Sequence, residues 1–132
     1  MNEPLRSSGF QFVEAPAFSR HRDKYLDDEG FRELQRALAN NAEAGDLIAG
    51  AGGIRKVRWA DTRRGKGKRG GLRIIYYCFL SEEYYCSLSE EEIWLLTLYG
   101  KDEASDLSKD EKVQLKKGLE AERAARKRRE MQ

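Results

Sequence analysis

Apolar positions fall along this chain in short, separate patterns, and their period changes from one segment to the next. Phe10 and Phe12 bracket Gln11, the alternation of a short strand over Phe10–Glu14. Pro16 suits a first helical turn and opens a short helix predicted to run through Tyr25. Asp27 or Asp28 is placed to cap a second helix. There Phe31, Leu34 and Leu38 recur at i, i+3 and i+7 and form one apolar face, and Asn40-Asn41 marks the stop. Four glycines (Gly45, Gly50, Gly52, Gly53) then predict irregular backbone.

Ile54, Val57 and Trp59 lie in a strand-like stretch with basic side chains between them, and Asp61–Gly71 reads as a loop of Lys, Arg and Gly. Leu72–Leu80 is the clearest strand, β-branched and aromatic throughout. The acidic segment Ser81–Glu92 reads as a connection, with Tyr84-Tyr85-Cys86 adding strand at its edges, and Ile93–Tyr99 is another apolar strand. Ser108 with Glu111 is a capping-box pattern opening a C-terminal helix. Val113, Leu115 and Leu119 give that helix a thin apolar stripe, and its end over Arg123–Arg129 is expected to fray. Strands joined by loops, without crossover helices, favour a mainly antiparallel sheet of about four strands. The expected class is α+β: two N-terminal helices on the sheet and one helix at the end.

A chain of 132 residues fits one domain. The expected division is a flexible stretch over 1–9, the folded domain over 10–120 and a basic helical tail over 121–132. No apolar run approaches the roughly 20 residues of a membrane-spanning helix. The polar N-terminus lacks the apolar core of a secretion signal, so a cytoplasmic location is expected. Cys78 and Cys86 form neither a disulfide framework nor a metal-ligand pattern, and no cofactor is expected.

Charge distribution changes this picture more than its total. The net charge is only +2, but Arg55–Arg73 holds nine cations against Asp61 alone, so +8 there leaves −6 for the rest. Such asymmetry is the footprint expected for a phosphate-rich ligand. In the sequence Gly50–Arg58, glycines permit close backbone approach and Arg55, Lys56 and Arg58 supply charge. In Gly65–Tyr77 a cationic loop with Lys66, Lys68 and Arg69 feeds a strand bearing Arg73. Leu98-Tyr99-Gly100-Lys101 closes the last strand. If the strands pair as a meander, Lys56, Arg58, Arg73 and Tyr99 share one rim of the sheet.

These segments together resemble a known family. Gly45, Ile48 and Gly50–Arg58, then Gly67–Tyr77, Leu98–Lys101 and Asp106–Ser108, are similar to the motifs of HigB toxins in the RelE/ParE superfamily. The resemblance spans about Phe10 to Leu119. It implies a RelE-like α+β fold and the toxin of a type II toxin–antitoxin system. The implied activity is that of an mRNA interferase, an endoribonuclease that cuts mRNA in the ribosomal A site and halts translation. The implied partners are a HigA-like helix-turn-helix antitoxin, the ribosome and mRNA.

RNA cleavage by the 2′-hydroxyl needs that proton removed, the phosphorane stabilised and the leaving oxygen protonated. With one histidine, His21, and no evident metal-ligand spacing, a metal-independent reaction would fall to Lys, Arg and Tyr. By resemblance, Lys56 and Arg58 are the basic pair of one strand and Arg73 the clamp on the scissile phosphate. Lys56 is a base if neighbouring cations crowd it, and otherwise a phosphate ligand. Tyr99 stacks on a base or relays a proton beside Lys101, while Arg55, Lys66, Lys68 and Arg69 bind flanking RNA. The family's arginine and tyrosine beyond the last strand are replaced here by Lys101–Ser105, which leaves the general acid unassigned. Two other readings stand beside this one: a ParE-like topoisomerase poison, and an RNA-binding module without catalysis.

Overall fold

The computed structural model describes residues 10–62, 65, 67, 71–79, 91–104 and 106–131. It is an α+β fold with strands β1 (Phe10–Glu14), β2 (Asp46–Leu47), β3 (Arg55–Trp59), β4 (Leu72–Phe79) and β5 (Glu91–Gly100). Its helices are α1 (Pro16–Tyr25), α2 (Asp28–Asn40) and α3 (Lys109–Glu130). The sheet order is β1-β5-β4-β3-β2. Neighbours β2 to β5 pair antiparallel, whereas β1 pairs parallel to β5.

The sheet is mainly antiparallel, as expected, but one parallel pair makes it mixed and it has five strands rather than about four. The fifth is β2, a two-residue ladder in the glycine-rich segment that the sequence predicts as irregular. No hairpin joins β1 to β5, so nothing in the local chain forces them antiparallel. The expected strand at Tyr84-Tyr85-Cys86 lies outside the described residues.

Local signals account for the helix boundaries. Pro16 occupies the first turn of α1. The Asp27 carboxylate accepts from the Gly30 N–H at 2.7 Å and caps α2. Ser108 and Glu111 form the reciprocal capping box of α3, with bonds of 3.1 and 2.8 Å.

Two apolar layers flank the sheet. On one face Leu72, Ile74, Tyr76, Ile93, Leu95 and Leu98 pack against Phe18 of α1 and Leu34 and Leu38 of α2. Burial of each such leucine stabilises the fold by about 1.5–3 kcal/mol. On the other face Ile54, Ile75, Tyr77, Phe79 and Leu96 meet Leu119 of α3 and Leu107.

A bulge in β5 divides that strand. Ile75 pairs with Thr97 but Tyr76 pairs with Leu95, so Leu96 is the extra residue. Ile93 and Leu95 face α1 and α2, and a strict period of two would send Tyr99 the same way. The inserted residue instead puts Leu98 on that face and Tyr99 with α3.

Helix α3 presents Lys112, Leu115, Leu119, Glu122, Arg123 and Arg126 as its less exposed stripe, at helical spacing. Its far end is held by cations on rings. The Arg126 guanidinium lies 4.0 Å from the Phe79 ring centroid and 5.5 Å from that of Trp94, and it pairs with Glu92. Arg123 donates to the Tyr77 hydroxyl. The tail expected to fray is thus helical to Glu130, because these arginines supply the packing that its sequence lacks in aliphatic residues. Among the described residues no helix is long and apolar enough to cross a membrane.

Candidate functional site

Strand register brings four of the expected residues onto the sheet face that α3 covers. Arg58 stands opposite Arg73 in β3–β4, and Arg73 stands opposite Tyr99 in β4–β5. The three form one row across the sheet. Lys56 heads the next row, opposite Ile75, which in turn faces Thr97. Directly opposed residues project to the same face, and Ile75 belongs to the layer beneath α3.

The residues of the row differ in access. Arg58 is exposed and Lys56 half-buried. Arg73 is only 3% exposed, and its guanidinium donates to the Leu72 carbonyl at 3.1 Å. In this arrangement Arg73 lends charge from beneath, and direct contact with a ligand falls to Lys56 and Arg58.

Tyr99 carries a hydroxyl that is shut off from solvent and has no hydrogen-bond partner among the described residues. Burial, with the Asp106 carboxylate adding to it, pushes its pKa up to about 12, although Arg73 opposes the shift. Tyr99 is therefore a neutral phenol at any physiological pH, a hydrogen-bond donor rather than a base. It lines a cavity of about 250 Å³ with His21, Tyr25, Thr97, Asp106 and Glu111 among the other walls. Glu103 ties the turn beyond β5 to α1, accepting from Tyr25 and, at 2.6 Å, from Lys24.

Two neighbours not expected among the site residues, Asp106 and Lys112, adjoin them. The Asp106 carboxylate lies 3.5 Å from the Lys56 ammonium and 3.8 Å from that of Lys112. Its Oδ1 also accepts the Leu107 N–H at 2.8 Å. Burial works to raise the Asp106 pKa, but the Leu107 N–H and the two ammoniums outweigh it and hold the carboxyl below its ordinary value. Lys56 thus meets an acid where a lysine base would need crowding by cations, and its arrangement is that of an anion ligand. The Asp106-Leu107-Ser108 motif was visible in the sequence. For Lys112 the signal was its helical spacing from Leu115 and Leu119.

The remaining expected residues are placed differently. Arg55 stands opposite Tyr76 and so projects to the other face. Its guanidinium donates to the Gly45 carbonyl at 2.7 Å and fastens the glycine-rich segment to β3. Lys101 is exposed in the turn after β5, its main-chain N–H donating to the Gly71 carbonyl at 2.8 Å. Lys66, Lys68 and Arg69 lie outside the described residues. At the root of their loop only glycine fits at Gly71, since a Cβ would come within 2.4 Å of the Trp59 and Gly67 carbonyl oxygens. Gly53 has φ +101° and would press a Cβ to 2.9 Å from the Tyr77 ring.

The site thus has two accessible cations, Lys56 and Arg58, with a buried arginine and a buried phenol beside them on one face. No protein-family model matches the chain.

Proposed function

We propose that this chain is a RelE-like toxin of the HigB type, a metal-independent endoribonuclease that cleaves mRNA on the ribosome. Its partners in this reading are the ribosomal A site with its mRNA and a HigA-like helix-turn-helix antitoxin, in the cytoplasm. One observation carries the reading: Arg58, Arg73 and Tyr99 form a single cross-strand row, with Lys56 in the row beside it. Arg58 and Lys56 are the accessible cations of these rows, and an anion laid over them meets positive charge from both.

The chemistry expected is attack of the 2′-hydroxyl on the adjacent phosphorus, leaving a 2′,3′-cyclic phosphate and a 5′-hydroxyl. Arg58 holds the non-bridging oxygens, with Arg73 adding positive potential from below and Lys56 holding the neighbouring phosphate. Charge accumulates on those oxygens in the phosphorane, so preorganised donors stabilise the transition state more than the ground state. Tyr99, buried at the end of that row, stays a neutral phenol and adds no negative charge beneath the phosphate.

The test is a reconstituted translation reaction with purified ribosomes and a defined mRNA. Cleavage ends are mapped by primer extension and the terminus checked for the cyclic phosphate. Wild type should cut within the A-site codon, while Arg58→Ala and Arg73→Ala should not. Intact mRNA with inhibited DNA supercoiling would replace this reading by the topoisomerase-poison one. Tight RNA binding without any cyclic-phosphate product would replace it by non-catalytic binding.

A further inference from the structure

The stripe that α3 turns toward the sheet begins not with an aliphatic residue but with Lys112, three residues before Leu115 and seven before Leu119. A lysine at such a position has an apolar stem suited to the sheet, and an ammonium that must find a counter-charge. It reaches Asp106, which Lys56 reaches from β3. Two cations from separate elements therefore converge on one carboxylate, with a second positive row, that of Arg58 and Arg73, beside them. A carboxylate held between two ammoniums has the form of an anion site whose ligand the chain itself supplies.

We infer that Lys56 and Lys112 form a two-point site for a backbone phosphate of single-stranded RNA, and that Asp106 fills it when no RNA is bound. The inference rests on the chain binding RNA, and it adds a subsite contributed by α3. Lys56 is two residues from Arg58 along β3, about 7 Å, so this phosphate is a neighbour of the one over the Arg58 row rather than the same one. Asp106 can leave without disturbing the core. Its side chain is 47% exposed, and the one backbone bond it gives up is to the Leu107 N–H, which water can replace. The lowered pKa of Asp106 keeps it ionised, a true competitor for the phosphate. One carboxylate against two ammoniums also leaves the pair a net positive charge, so a phosphodiester still finds attraction there.

The experiment measures binding of a fluorescently labelled 2′-O-methyl single-stranded RNA, which cannot be cleaved, to the full chain over a series of KCl concentrations. Lys112→Ala should weaken binding by about 3- to 10-fold and make the salt dependence shallower by about 0.7 in log–log slope, the signature of one lost phosphate contact. Lys112→Gln should behave alike, which guards against a packing effect of the shorter side chain. Asp106→Asn should tighten binding by about 3- to 10-fold, because the internal competitor loses its charge. Unchanged affinity and slope in both Lys112 variants, or weaker binding by Asp106→Asn with an unaltered circular dichroism spectrum, overturns this site while RNA binding stands. A wild-type chain with no affinity for the oligonucleotide overturns the RNA reading and the site together.

Discussion

The two ends of the sheet face beneath α3 are both built on arginines, and they use them in opposite ways. At the far end Arg123 and Arg126 lie on the rings of Tyr77, Phe79 and Trp94, and Arg126 is paired with Glu92 and Glu122. Charge there is neutralised, desolvated and turned into packing. At the near end Arg58 is set against Arg73, Tyr99 has an unsatisfied hydroxyl, and one carboxylate serves two lysines. Good packing would not choose that arrangement. A protein tolerates local conflict where a ligand resolves it, so the contrast separates scaffold from site.

The comparison breaks if near-end substitutions act on stability or far-end substitutions act on chemistry. The largest effect is expected from Arg58→Ala, which should slow mRNA cleavage by about 100- to 1000-fold, as removal of one transition-state donor does. Its thermal midpoint should stay close to wild type, since Arg58 is exposed. Next, Arg126→Ala should destabilise the fold by about 2 kcal/mol through the lost ring and carboxylate contacts. Urea denaturation would measure that loss, and the folded fraction should keep its specific activity. Ser108→Ala should cost about 1 kcal/mol by uncapping α3, and a drop in RNA affinity would sharpen the link between that helix and the site.

The smallest effect concerns pH. Tyr99 ionises near 10.0 in an unfolded chain and near 12 in the fold, so the folded state resists deprotonation. Wild type therefore loses stability as pH climbs between those values, because only the unfolded chain releases the proton there. Tyr99→Phe should lose less over the same interval. Comparing their urea midpoints at neutral and strongly alkaline pH isolates this residue from the other tyrosines. At neutral pH Tyr99→Phe should match or slightly exceed wild-type stability, because it removes a buried hydroxyl without a partner.

Much of this contrast was legible in the chain. Pro16, Asp27 and the Ser108–Glu111 pair marked helix starts, and alternation along β3 and β4 placed Lys56, Arg58 and Arg73 on a shared face. The same alternation carried the signal that Arg55, one residue from Lys56, faces the other way. Asp106 and Lys112 were not legible as site residues, because the meeting of Lys56 and Lys112 on the Asp106 carboxylate arises only in the folded chain. Cation–ring docking of α3 escaped for a similar reason: a run of arginines reads as a solvated tail until a partner surface of Tyr77, Phe79 and Trp94 exists. The placement of Tyr99 depended on a residue count within β5 that no hydrophobic period announces, although the Leu95-Leu96 doublet hints at it.

That doublet makes β5 a strand with two independent phases. Before Leu96 the alternation is governed by the core under α1 and α2. After it the odd-numbered side chain at 99 answers to the opposite side. Removing one residue at the step would keep the first half seated while rotating Tyr99 half a turn away from Arg73. The phenol and the arginine are thus joined by an indel-sensitive gear, and tolerance to substitution along β5 should far exceed its tolerance to a change in length.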